Sequence, residues 1–161
     1  MLAHLALTLA LLCACGPPTV APDASCEAGV GSVEVGRGGS RLRRLAPTGD
    51  ALDIVRGAQG GIHVVVGAWV QNVDLDLTMH YRLEEAGALI GTETTVALRP
   101  ALFAPDAERF VRHPDLIVLD NFSPSVDRFV GRTVELHAEI TSVDGTHACD
   151  TRTVTLADPG L

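Results

Sequence analysis

Lysine is missing altogether; all twelve basic residues are arginine. Without Lys, the Gly-rich segment Gly57-Ala58-Gln59-Gly60-Gly61 is no phosphate loop, which needs a lysine and a following helix. Aromatics are scarce too, at one Trp, one Tyr and four Phe. A carbohydrate platform exposes several aromatic rings, so sugar binding is disfavoured. Catalytic signatures are absent: there is no G-x-S-x-G elbow and no H-E-x-x-H pair. Glu84 and Glu85 are adjacent in what reads as a strand, so they point to opposite faces and form no acid–base pair. The chain is therefore not expected to be an enzyme, and no cofactor is implied. Positive charge is also short, twelve basic against twenty acidic residues for a net charge of −8. Such a surface repels nucleic acid, so no nucleic-acid partner is expected.

The 161 residues are 47% hydrophobic, enough for one domain with a core and too apolar for a disordered chain. The first fifteen carry no charged side chain. Leu2 to Leu12 (LAHLALTLALL) is apolar except for His4 and Thr8. It is shorter than the ~20 residues needed to cross a bilayer and fits the apolar region of a secretory signal. Gly16 to Ala21 and Pro22 follow, with three prolines in seven residues. They stop any helix and favour an extended tether.

Between these segments lies Leu12-Cys13-Ala14-Cys15-Gly16, which resembles the lipobox of bacterial lipoproteins. Leu12 takes the third position before cleavage, Ala14 the small residue and Cys15 the modified cysteine. The departure from the pattern is that only His4 precedes the apolar core, where Lys or Arg is usual. The resemblance implies a cleaved signal peptide over 1–14, a lipidated tether over 15–25 and a folded domain over 26–161. It implies a lipid membrane as partner through acylated Cys15, in the cell envelope. Because Gly16 rather than Asp follows the cysteine, it implies the outer membrane. Each buried CH₂ contributes about 0.8 kcal/mol, so two or more acyl chains anchor stably where one does not. The same resemblance leaves Cys26 and Cys149 as an even pair in an oxidising compartment, implying a disulfide that closes most of the mature chain.

Beyond the tether the hydrophobic pattern has period two. Val33-Glu34-Val35 opens it, and Ala51 to Arg56 alternates. Ile62 to Val70 is apolar on nearly both faces, which suits a central strand. In 74–83, Leu75, Leu77, Met79, Tyr81 and Leu83 turn inward and Asp74, Asp76, Thr78, His80 and Arg82 outward. Gly91 to Leu98 and a short Leu116 to Leu119 add strands. Thr133 to Ile140 alternates with Val134, Leu136, Ala138 and Ile140 inward. Asp144-Gly145 predicts a type I′ hairpin leading into His147 to Leu156, and one helical turn is expected after Pro105. The expected fold is all-β, an immunoglobulin-like antiparallel sandwich of about seven to eight strands. The segment Gly57-Ala58-Gln59-Gly60-Gly61-Ile62-His63, with Thr48-Gly49-Asp50 before it, is similar to one in uncharacterised small β-sandwich lipoproteins of myxobacteria-like organisms. That likeness covers Cys26 to Val70 best and implies fold and compartment without an activity.

Outward polar residues on alternating strands normally form a solvated face, and no spacing here dictates a metal site. Should the two strands that carry them be neighbours, His80, His137, Asp76 and Glu135 are the candidates for a Zn²⁺ or Cu²⁺ patch. Arg41, Arg43 and Arg44 form a small basic cluster in a Gly-rich loop. The expected role is an envelope-anchored structural or protein-interaction module with an envelope protein as partner. The alternative is a small metal- or ligand-binding envelope module that uses the outward His/acidic face.

Overall fold

The computed structural model describes residues 31–38, 41–58, 60–120 and 125–160. The chain forms β1 (Ser32–Arg37), β2 (Arg43–Arg44), β3 (Thr48–Arg56), β4 (Ile62–Gln71), β5 (Leu77–Glu85), β6 (Ala88–Leu89), β7 (Thr94–Leu98), β8 (Ala104–Asp106), β9 (Arg109–Asp120), β10 (Thr133–Ser142) and β11 (His147–Ala157). The all-β expectation holds. The strand count is higher than expected because three two- or three-residue strands cap the edges of the longer ones.

The strands make two layers. In the first, β4 is central: β9 runs along one edge, while the other edge is shared by β3 at Ile62–Val64 and β1 at Val66–Gln71. In the second, β5, β10 and β11 lie side by side, with β7 and β6 on the free edge of β5. One strand belongs to both layers. Thr48–Asp53 of β3 pairs with β11, and Ile54–Arg56 pairs with β4. The β3–β11 pair is parallel, so the sandwich is mixed at that one seam. At the opposite seam Thr92 N–H donates to Val118 C=O at 2.7 Å and Thr94 Oγ1 to Leu116 C=O at 2.7 Å. The chain entering β7 thus covers an edge of β9 that would otherwise present bare carbonyls.

The core follows the two-residue period. Leu77, Met79, Tyr81 and Leu83 of β5 stand beside Val134, Leu136, Ala138 and Ile140 of β10 on the inner face of one layer, and Ile62, Val64, Val66, Ala68 and Val70 of β4 join them in the core. Leu75 packs partly against this core from ahead of β5.

Three local expectations are corrected. Leu116 to Leu119 is part of the twelve-residue β9. No helical turn follows Pro105: a short 3₁₀ turn, Pro100–Leu102, precedes β8, and β8 and β9 form a tight hairpin with Ala107 at φ 54°. The Asp144-Gly145 turn is a three-residue loop, with Gly145 N–H donating to Ser142 C=O at 3.0 Å and only Gly145 at positive φ, 85°. A type I′ turn requires two positive φ values; here the Asp144 side chain instead accepts from Thr146 N–H at 2.9 Å and from the Ser142 hydroxyl.

A bulge in β9 places a charge pair whose carboxylate is buried. Val66 aligns with Asp115 and Ala68 with Arg112, so Gly67 faces both His113 and Pro114. In a regular strand, residues three apart point to opposite faces. The extra residue puts Arg112 and Asp115 on the inner face together. There Arg112 Nη2 donates to Asp115 Oδ1 at 2.7 Å, and the Tyr81 hydroxyl donates to Asp115 Oδ2 at 3.2 Å. Burial, reinforced by the Asp115 charge, pushes the Tyr81 hydroxyl well above its ordinary pKa, so it remains a donor.

Candidate functional site

Two outward faces carry the features relevant to function. The outer face of the β4 layer has two unlike halves. In one, the glycine pair Gly36 and Gly67 is opposed in register, leaving a shallow trough. A Cβ on Gly36 would come within 2.7 Å of Trp69 Cζ3, and one on Gly67 within 3.0 Å of Leu42 Cδ1, so these side chains fill the trough. Arg109 covers the indole, its guanidinium 5.2 Å from the ring centre, while Trp69 Nε1 donates to Asp106 Oδ2 at 2.7 Å. Arg109 Nη1 is held by Glu34 Oε2 at 2.7 Å, and Arg44 Nε lies 3.6 Å from Glu34 Oε1. Of the basic cluster, Arg44 thus joins the rim of this lid, and all three arginines are exposed.

Among the described residues the other half has no such cover. Val55, His63 and Val118 form one cross-strand row, and Val65 and Leu116 the next. Leu116 is 44% exposed, and Val55, Val65 and Val118 are half-buried. The sequence carried a signal for this patch in Ile62 to Val70, apolar on both faces. Reading that segment simply as a central strand missed it.

The outer face of the β5–β10–β11 layer is charged. His80 and His137 both lie on it, on neighbouring strands. His80 Nδ1 is 3.0 Å from Thr95 Oγ1 and 3.8 Å from Glu93 Oε1. His147 Nε2 is 2.7 Å from Glu139 Oε1. His137 Nδ1 is 3.0 Å from Thr151 Oγ1, which fixes the ring, and its Nε2 is 3.6 Å from Glu135 Oε2 and 3.7 Å from Glu84 Oε2. Potential ligand atoms of Glu84, Glu135 and His137 all lie within 4.8 Å of one another.

Two of the four sequence candidates, His137 and Glu135, are therefore brought together, and two are not. Asp76 lies in a bend ahead of β5, its N–H bound by Asp74 Oδ1 and its C=O by Val143 N–H. Six residues along a strand separate it from the register position of His137, roughly 20 Å. His80 is matched in register with Glu139, two positions from His137. Glu84 was missed because it was read only against Glu85. The strands do send those two apart: Glu85 binds Arg132, and Glu84 faces Glu135. Only the pairing of β5 with β10 reveals that second contact.

Cys13, Cys15 and Cys26 lie outside the described residues, as do the signal peptide, the tether and Gln59. Cys149 lies in β11, opposite Glu139, and is not a free thiol. No helix among the described residues is long and apolar enough to cross a membrane.

No protein-family model matches the chain, and no curated protein does. Among solved structures it is similar to the CooA pilin subunit from enterotoxigenic Escherichia coli, at 16% identity and a TM-score of 0.34, over 78% of this chain and 98% of that one. At that level the likeness carries no functional argument.

Proposed function

We propose that the chain is an envelope-anchored lipoprotein, held to the membrane through an acylated Cys15, whose β-sandwich docks an envelope protein. The observation that carries the docking is the half of the β4 layer that no described residue covers. Val55, Val65, Leu116 and Val118 stand in adjacent register on an outward face, where a solvated sheet would alternate to polar residues. The filled trough beside it supports this reading, because the same face is sealed by Trp69, Leu42 and Arg109 wherever it has its own cover. The envelope address is supported by the Leu12-Cys13-Ala14-Cys15 segment.

A Cys26–Cys149 bridge belongs to the same proposal. Gly31 sits against Thr146, where an added Cβ would come 2.7 Å from Thr146 Cγ2. Five residues reach up to about 17 Å, and the three positions from Thr146 to Cys149 cover about 10 Å, so the chain length suffices. Closing a loop of this size stabilises by ~4–5 kcal/mol in chain-entropy terms.

The test has two arms. A fatty-acid probe fed to expressing cells should label the wild type and spare Cys15→Ser; equal labelling removes Cys15 as the anchor. A photo-crosslinking residue at Leu116 should give a discrete adduct, and one at Thr95, on the opposite layer, should give none. Identical adduct patterns at the two positions, or none at either, would refute docking through the β4 face.

A further inference from the structure

The geometry points to a divalent transition-metal site on the β5–β10 face, formed by Glu84, Glu135 and His137, with Zn²⁺ the best-matched ion. The site does not rest on the envelope reading, because all three residues lie in the folded sandwich.

Three observations carry it. The first is register. Glu84 and Glu135 are directly opposed on β5 and β10, and like charges so placed destabilise a sheet. A cation between them removes that repulsion. The second is division of labour within the carboxylate. Glu84 Oε1 accepts from Arg82 Nε at 2.7 Å, while Oε2 is the atom turned toward His137. Arg82 therefore holds the carboxylate from behind and leaves one oxygen for the site. The third is the imidazole. Thr151 Oγ1 engages Nδ1 at 3.0 Å, so Nε2 is presented to the two carboxylates. Metal-bound histidines are commonly oriented by a partner on the second ring nitrogen in this way.

The distances fit. Zn²⁺ binds imidazole nitrogen at about 2.0–2.1 Å and carboxylate oxygen at about 2.0–2.2 Å, so tetrahedral ligands stand about 3.4 Å apart. The observed separations from Nε2 are 3.6 and 3.7 Å, and all three ligand atoms lie within 4.8 Å of one another, so rotation of the two partly exposed glutamate side chains completes the shell. One imidazole and two carboxylates leave the fourth position to water. The side chains of His137 and Glu84 are 18% and 24% exposed and that of Glu135 42%, so an ion can enter from solvent.

The test is calorimetric titration of the purified chain with ZnCl₂ in chelator-free buffer. One saturable site is expected. His137→Ala and Glu135→Gln should each weaken it at least tenfold, and Thr151→Val should weaken it several-fold while leaving all three ligands in place. His80→Ala, which removes a histidine of the same face but outside the site, should leave the affinity unchanged. Circular dichroism of each variant establishes that it is folded. No saturable heat with the wild type would overturn the proposal. So would an equal loss in His80→Ala and His137→Ala, which would mean diffuse attraction to an acidic face.

Discussion

Replacing Arg112 by Met strands a charge inside the sandwich. The Asp115 side chain is 3% exposed, and its partners are the Arg112 guanidinium at 2.7 Å and the Tyr81 hydroxyl at 3.2 Å. Breaking a buried pair by removing one member costs about 3–5 kcal/mol, mostly because the remaining charge is uncompensated. Arg112 is 21% exposed, so water relieves part of that penalty and the lower end, about 3 kcal/mol, applies. In a domain of this size that is a fall in Tm of roughly 10 °C. Tyr81→Phe removes one long hydrogen bond to a charged acceptor and should cost about 1.5 kcal/mol. The order Arg112 above Tyr81 is thus as much a prediction as the magnitudes. Replacing Asp115 by Leu in the Arg112→Met background removes the stranded charge and should restore most of the loss. Equilibrium urea unfolding followed by the fluorescence of Trp69, the single tryptophan, measures all three. The reasoning fails if Arg112→Met costs less than about 0.5 kcal/mol, or if the double variant is no more stable than Arg112→Met alone.

Stability should also depend on pH at both ends of the scale. Glu85 is held below its ordinary pKa by Arg132, Asp144 by the Ser142 hydroxyl and Thr146, and Asp158 by Arg56 and Gly160 N–H. A depressed carboxyl contributes stability above its unfolded pKa and loses it as pH falls, so Tm should drop below about pH 4. Tyr81, held high, contributes below its unfolded value and loses that contribution as pH rises past about 10. A Tm that climbs between pH 4.5 and 2.5 would contradict the acid half. Gly67→Ala should destabilise by about 1–3 kcal/mol, because its Cβ would collide with Arg112 C=O and come 2.6 Å from His113 Cβ, and backbone cannot move aside cheaply. Urea unfolding within about 0.3 kcal/mol of wild type would show that the bulge yields instead.

The layers were legible in the sequence wherever a strand has one wet face. Alternation in 77–83 and 133–140 assigned Leu77, Met79, Tyr81, Leu83, Val134, Leu136, Ala138 and Ile140 to the interior, and all are buried. Strand partnership was not legible, because period two says which side a residue takes and not what stands beside it. Hence Glu135 and His137 were identified without Glu84, and Asp76 was grouped with residues far along the strand. The β9 bulge was hidden for a related reason. Arg112 and Asp115 three apart read as opposite faces until the extra residue against Gly67 is counted. The Asp144-Gly145 dipeptide marked the turn correctly, but the turn's class depended on Val143, a third loop residue.

Because β3 gives its first half to β11 and its second half to β4, neither layer can peel away while the other persists. Native-state hydrogen exchange should therefore release the slowest amides of β4 and β10 together, with one common opening energy, as a single cooperative block rather than two leaves that loosen in turn.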